Sequence, residues 1–128
     1  MLKITILGCG SSHGVPVIGC KCKVCTSNSI YNKRSRSAII IEKNNSRILV
    51  DFGYDIRNQL LDHKIDRLDA AILTHDHSDH VSGIDDLRVF KYMDHNKESI
   101  PLKIYTDHST SKIISDRYRY LLGLNAID

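Results

Sequence analysis

"LDAAILTHDHSDH", residues 68–80, runs an apolar stretch directly into a crowd of polar side chains. The first part, LDAAILT (68–74), is nearly all apolar and short. That suits a strand inside an α/β sheet with both faces covered. The second part places His75, His77, Asp79 and His80 within six positions, with Asp76 among them. They lie where the strand gives way to a helix, and the sheet holds such strand ends rigidly enough for sites to collect there. Imidazole and carboxylate together suit zinc, iron or manganese. His75 and His77 are two apart, so extended backbone points both the same way. Asp79 and His80 are adjacent and diverge. The spacing predicts one metal held by His75 and His77 and a neighbour held by Asp79 and His80. Two such ions can share and activate one hydroxide. The alternative, a set of solvated turn residues, does not account for the crowding.

Working outward, LKITILG (2–8) alternates and is rich in β-branched residues, which predicts a first strand. Residues 9–25 form a glycine-rich loop, and 28–36 read as irregular. SAIIIEK (37–43) and SRILVDF (46–52) are strands joined by a hairpin turn at Asn44–Asn45. Helical spacing over 55–65 puts Ile56, Leu60 and Leu61 on one face. A helix is expected over 81–94, apolar at Ile84, Leu87, Val89 and Phe90, then a strand over 100–106. The last helix spans 109–123, with Ser109 as cap and Gly123 as stop. Strands and helices in this order make an α/β protein, and no linker divides the 128 residues into more than one domain.

Composition excludes more than it proves. The chain is 41% hydrophobic and 26% charged, with formal net charge +3. No apolar run approaches the roughly 20 residues of a membrane span, and the start lacks the pattern of a secretory signal. The one basic cluster, NKRSRS (32–37), has no aromatic interleaving. A solvated surface role for Lys33, Arg34 and Arg36 is expected, not nucleic-acid binding. Three of the four cysteines, Cys20, Cys22 and Cys25, fall within six residues as C-x-C-x2-C. Without an export signal, that spacing points to a structural zinc in a reducing cytoplasm, not to disulfides. A fourth ligand is needed; His13 or water could serve. Cys9, at a strand end, is expected to be an inert buried thiol. His63, His95 and His108 stand apart from any cluster, as surface or capping residues.

THDHSDH closely resembles the H-x-H-x-D-H signature of the metallo-β-lactamase superfamily. ILVDFG (48–53) resembles that family's strand ending in an aspartate, here Asp51. LGCGSSHGVPVIGCKCKVC (7–25) with RSRSAIII (34–41) resembles the branch of the phosphonate-pathway cyclic phosphodiesterase. The resemblance implies the first half of an αββα sandwich: one mixed β-sheet with helices on its outer face. It assigns His75 and His77 to a first metal and Asp79 and His80 to a second. Asp79 would also orient the hydroxide that bridges the metals and attacks a phosphate ester. Asp51 would support the ligands from behind, although a helix-capping aspartate is an equal reading of that position alone. His13, in the loop beside the site, could touch substrate. In that branch a later histidine completes the cysteine site. Two divalent ions, zinc or manganese or else iron, and one structural zinc are implied. The family's remaining ligands have no counterpart here, so a catalytically inactive metal-binding fragment is the competing expectation. The sheet face meant for the second half would then be covered by a second copy of the chain, or by the missing half itself.

Overall fold

The structure is a computed structural model of the chain and describes residues 1–91 and 102–122. Five strands form one sheet in the order β1-β2-β3-β4-β5: Leu2–Gly8, Ala38–Lys43, Ser46–Val50, Ala70–Ile72 and Lys103–Tyr105. The first three are antiparallel neighbours, and β4 and β5 join in parallel. Asn44 and Asn45, the turn between β2 and β3, have φ of 48° and 66°. Both are left-handed, as a two-residue hairpin of matching twist requires.

Among the described residues, the helices that pack on the sheet lie on one side. They are α1 (Ile56–Asp62), α2 (Ser78–Val81), α3 (His108–Arg117) and α4 (Arg119–Leu122), with a 3₁₀ helix over Ile84–Lys91. Ile40, Leu49, Ala71 and Ile104 stand side by side in register on the covered face. They are packed with Phe52, Ile56, Leu60, Val81, Leu87 and Ile114. Burying each large aliphatic side chain of this group stabilises the domain by about 1.5–3 kcal/mol.

The opposite face is open among the described residues. Register aligns Ile4 with Ile41, Ile48 and Ala70, and Ile6 with Ile39, Val50, Ile72 and Tyr105. Ile4 and Ile6 are 58% and 63% exposed. A sheet this apolar on its bare side is the half-layer that the sequence suggests. It also corrects the reading of β4 as covered on both faces, because Ile72 is exposed.

Several local expectations need correction. Leu61 points to solvent and Gln59 takes its place in the core, donating from Nε2 to the Arg36 carbonyl and Ser35 hydroxyl. A polar side chain with partners on the neighbouring segment outcompetes an apolar one turned outward. Within the described residues, the helix expected over 81–94 is replaced by α2, which begins inside the histidine stretch, and by the 3₁₀ helix, on which Val89 is exposed; positions 92–94 lie outside them. Asp107, not Ser109, caps α3, accepting from the Ser109 and Thr110 N–H groups. The helical run then breaks at Tyr118. Cys9 is exposed, not buried. His95, Gly123 and the start of the strand expected at 100 lie outside the described residues.

Candidate metal centre

The parallel strands β3 and β4 end side by side, and the chain leaving each supplies one wall of the site. Asp51 follows β3 with φ of 60°, a left-handed conformation costing about 1–2 kcal/mol in a non-glycine residue. Its N–H donates to the Ile72 carbonyl at 2.9 Å, tying it to the end of β4. Helix α2 is pulled onto this turn: the Phe52 N–H donates to the His80 carbonyl at 2.7 Å, and the Gly83 N–H to the Phe52 carbonyl at 2.8 Å. Between them sits Gly53, where an added Cβ would lie 1.8 Å from the Asp79 carbonyl oxygen. Only glycine lets the two backbones approach this closely.

The buried Asp51 carboxylate faces the histidine turn. Its Oδ2 lies 2.7 Å from His80 Nδ1. An ionised carboxylate only accepts, so Nδ1 carries the hydrogen and Nε2 is the free donor atom of His80. That Nε2 is 3.4 Å from Asp79 Oδ2. The three imidazoles crowd together, His75 with its ring centroid 4.6 Å from that of His77 and 4.1 Å from that of His80. His75 and His77 therefore share a side of the chain, as extended backbone predicts. His75, Asp79 and His80 are half-buried and His77 is exposed. Asp76 is engaged elsewhere: Arg117 of α3 donates to its carbonyl at 2.8 Å and its carboxylate at 3.3 Å. The donor chemistry fits divalent ions, with free imidazole nitrogens and a carboxylate beside them.

Sequence reasoning missed the residues that brace this turn. Thr74 donates from both its N–H and its hydroxyl to Asp51. Arg117 could not be paired with Asp76 from sequence, being 41 residues away. Arg36, expected to be solvated, is half-buried. It pairs with Asp55 at 2.9 Å and lies 5.1 Å above the Tyr54 ring. The hydroxyls of Ser82 and then Ser78 lower the Tyr54 pKa. His13 is exposed, with Ser12 Oγ 3.4 Å from its Nδ1. No hydrogen bond among the described residues joins it to the histidine turn.

The cysteine loop is a second candidate centre. The sulfurs of Cys20, Cys22 and Cys25 all lie within 4.8 Å of one another. Among the described residues no other group of three or more such donors is as close-set. The Val17 N–H points at Cys25 Sγ (3.4 Å) and the Cys25 N–H at Cys22 Sγ (3.5 Å). The Cys25 N–H, and after it the Cys20 thiol, pull the Cys22 pKa down to about 7. Thiolate is the metal-binding form, so the set fits zinc. Cys9 is not part of it.

The profile of the family described as "Anti-Pycsar protein Apyc1" matches residues 22–117. The chain is 42% identical over 125 residues to an octanoyltransferase of Porphyromonas gingivalis, covering 97% of this chain and 24% of that protein. Among solved structures, a diphosphatase of the PhnP family superposes with a TM-score of 0.87 at 29% identity, covering 100% of this chain and 49% of that one. The metallo-β-lactamase fold protein YhfI from Bacillus subtilis matches at 22% identity and a TM-score of 0.63, over 100% of this chain and 44% of that one. The chain thus spans about half the length of these solved structures. No helix among the described residues is long and apolar enough to cross a membrane. A one-sided mixed sheet with this run of imidazoles and carboxylates at its strand ends is therefore about half of a metallo-β-lactamase fold, and the chain belongs to the family described as Anti-Pycsar protein Apyc1.

Proposed function

We propose that this chain is the ligand-bearing half of a metal-dependent hydrolase of phosphate esters, phosphodiesterase-like in its chemistry. The observation that carries the reading is the 2.7 Å contact between Asp51 and His80 Nδ1. A carboxylate behind a histidine fixes its tautomer and raises its basicity toward a metal. In this reading His75 and His77 hold one divalent ion, zinc, manganese or iron, and Asp79 and His80 hold the other. When bound, such ions acidify water and offset the charge that gathers on a phosphoryl group. Asp79 orients the attacking oxygen, Asp51 holds His80 in place, and Arg117 keeps the turn in shape through Asp76. A diphosphatase among the similar structures supports phosphorus as the reaction centre. The octanoyltransferase relative is matched over only 24% of its length, so its name lends no support to acyl transfer by this part. In this reading His13, exposed in the glycine-rich loop, meets the substrate. A structural zinc on Cys20, Cys22 and Cys25 steadies the glycine-rich loop, and its unpaired thiols suit a cytoplasmic setting.

The test needs no turnover. Metal-free chain is titrated with Mn²⁺ in the presence of dimethyl phosphate, and the ³¹P relaxation rate is followed. Enhanced relaxation beyond that of free Mn²⁺, lost in His77→Ala, is the expected result. An enhancement equal in both proteins, or none in either, overturns the phosphoester reading.

A further inference from the structure

Resting on the metal-site reading above, we propose that Thr74 is a positioning residue. Its hydroxyl links His75 to Asp51 and so sets the tautomer in which His75 meets a metal. The Thr74 Oγ1 lies 2.9 Å from Asp51 Oδ1, 2.9 Å from Asp51 Oδ2 and 2.9 Å from His75 Nδ1. A hydroxyl has one hydrogen to give. Directed at the imidazole, it would leave the hydroxyl oxygen facing two carboxylate oxygens with nothing between them. Directed at Asp51, it satisfies the carboxylate and leaves the oxygen as an acceptor. His75 Nδ1 must then carry a hydrogen and donate it, which leaves Nε2 as the metal-facing atom.

One buried carboxylate thereby governs a histidine in each proposed metal pair. It acts on His80 directly and on His75 through the Thr74 hydroxyl. The Thr74 N–H, 2.9 Å from Asp51 Oδ1, holds the relay's backbone in place as well. A free imidazole in water prefers the opposite tautomer only slightly, so one well-placed acceptor is enough to decide it.

The experiment reads the histidine tautomers of the metal-free chain by two-bond ¹H–¹⁵N correlation at a pH where the rings are neutral. In the wild type, His75 is expected to be protonated on Nδ1. In Thr74→Val, which keeps the shape and removes the oxygen, His75 should shift toward a mixture, and zinc affinity at the histidine turn should fall roughly 10–100-fold. Thr74→Ser should restore both. A wild-type His75 protonated on Nε2 overturns the proposal without any variant having to fold. So does a Thr74→Val protein that keeps the wild-type tautomer and affinity. If the tautomer and affinity follow Thr74 but no phosphodiester responds to bound manganese, the hydrolase reading fails and the relay stands.

Discussion

Asp51 and His80, 29 residues apart in sequence, meet at 2.7 Å because the turn after β3 is hydrogen-bonded to the C-terminal end of α2, Phe52 to the His80 carbonyl and Gly83 to the Phe52 carbonyl. The contact turns a strained strand end into a support for a proposed metal donor. Replacing Asp51 with asparagine keeps the size and the tolerance of left-handed backbone but sets an amide N–H₂ or a neutral oxygen against His80. We expect a 10–100-fold loss in zinc affinity at the turn. A stability loss of about 1–3 kcal/mol is expected as well, since buried acceptors are lost. Metal competition and urea unfolding measure the two separately.

Protein purified without added metal should contain zinc, and Cys22→Ser should lower it. The three sulfurs already lie within 4.8 Å of one another, and Cys22 titrates near the working pH. Elemental analysis decides the matter; zinc equal in both proteins, or absent from both, removes the structural site.

Turnover by the 128-residue chain alone should be slight. His75 with His77, and Asp79 with His80, give each ion only two protein donors, fewer than a catalytic site of this kind uses. Hydrolysis of bis(p-nitrophenyl) phosphate with manganese or zinc is the assay. Robust turnover that His77→Ala abolishes would show that these donors suffice.

Acid should weaken α3 through its cap. The hydroxyl of Ser109, and then that of Thr110, hold the Asp107 carboxyl far below the ordinary aspartate range. A depressed folded pKa means that the ionised cap stabilises the helix above about pH 4, and that this contribution drains away as pH falls below it. Wild type should therefore lose stability faster than Asp107→Ala between about pH 4 and 2. Parallel acid curves for the two proteins would contradict the assignment.

The bare sheet face predicts assembly. Ile4, Ile6 and Ile72 are exposed in adjoining rows, and contiguous apolar patches of this kind are uncommon on soluble monomers. We expect the isolated chain to pair with a second copy, sheet against sheet, with two-fold symmetry. Light scattering coupled to size exclusion at micromolar concentration should give a dimer or larger, and Ile6→Lys should shift it toward monomer. A monodisperse wild-type monomer would mean that the face tolerates water or is covered by other means.

Much of this architecture was legible in the sequence. The alternation of LKITILG, the paired asparagines and the apolar run before His75 reflect local physics, and each element stands where its pattern puts it. The crowding of His75, His77, Asp79 and His80 pointed to the candidate site for the same reason, and the fold sets the three rings close together. What escaped was non-local or a choice between near equals. Thr74 looks like the last residue of a strand, and only the fold sets it against Asp51. Arg36 reads as one of several basic loop residues until Asp55 is placed opposite it. Asp107 and Ser109 are both good caps, and the choice depends on where the backbone turns. Gln59 and Leu61 occupy the same helix, and the Ser35–Arg36 segment packed against it decides which one faces inward.

The antiparallel strands β1 to β3 and the parallel strands β4 and β5 meet along a single seam; the proposed donors all hang from the β4 side, and Asp51 braces them from the β3 side. Asp51 belongs to one part and the histidine turn to the other. An ion bound to His80 would act across that seam through the Asp51 contact behind it, raising the free energy needed to part the two segments, because it favours the arrangement in which Asp51 orients the ligand. Amide exchange in β4 should therefore slow on loading with metal far more than exchange in the β1–β2 ladder. Stripping the ion should loosen the sheet from the middle before its edges fray.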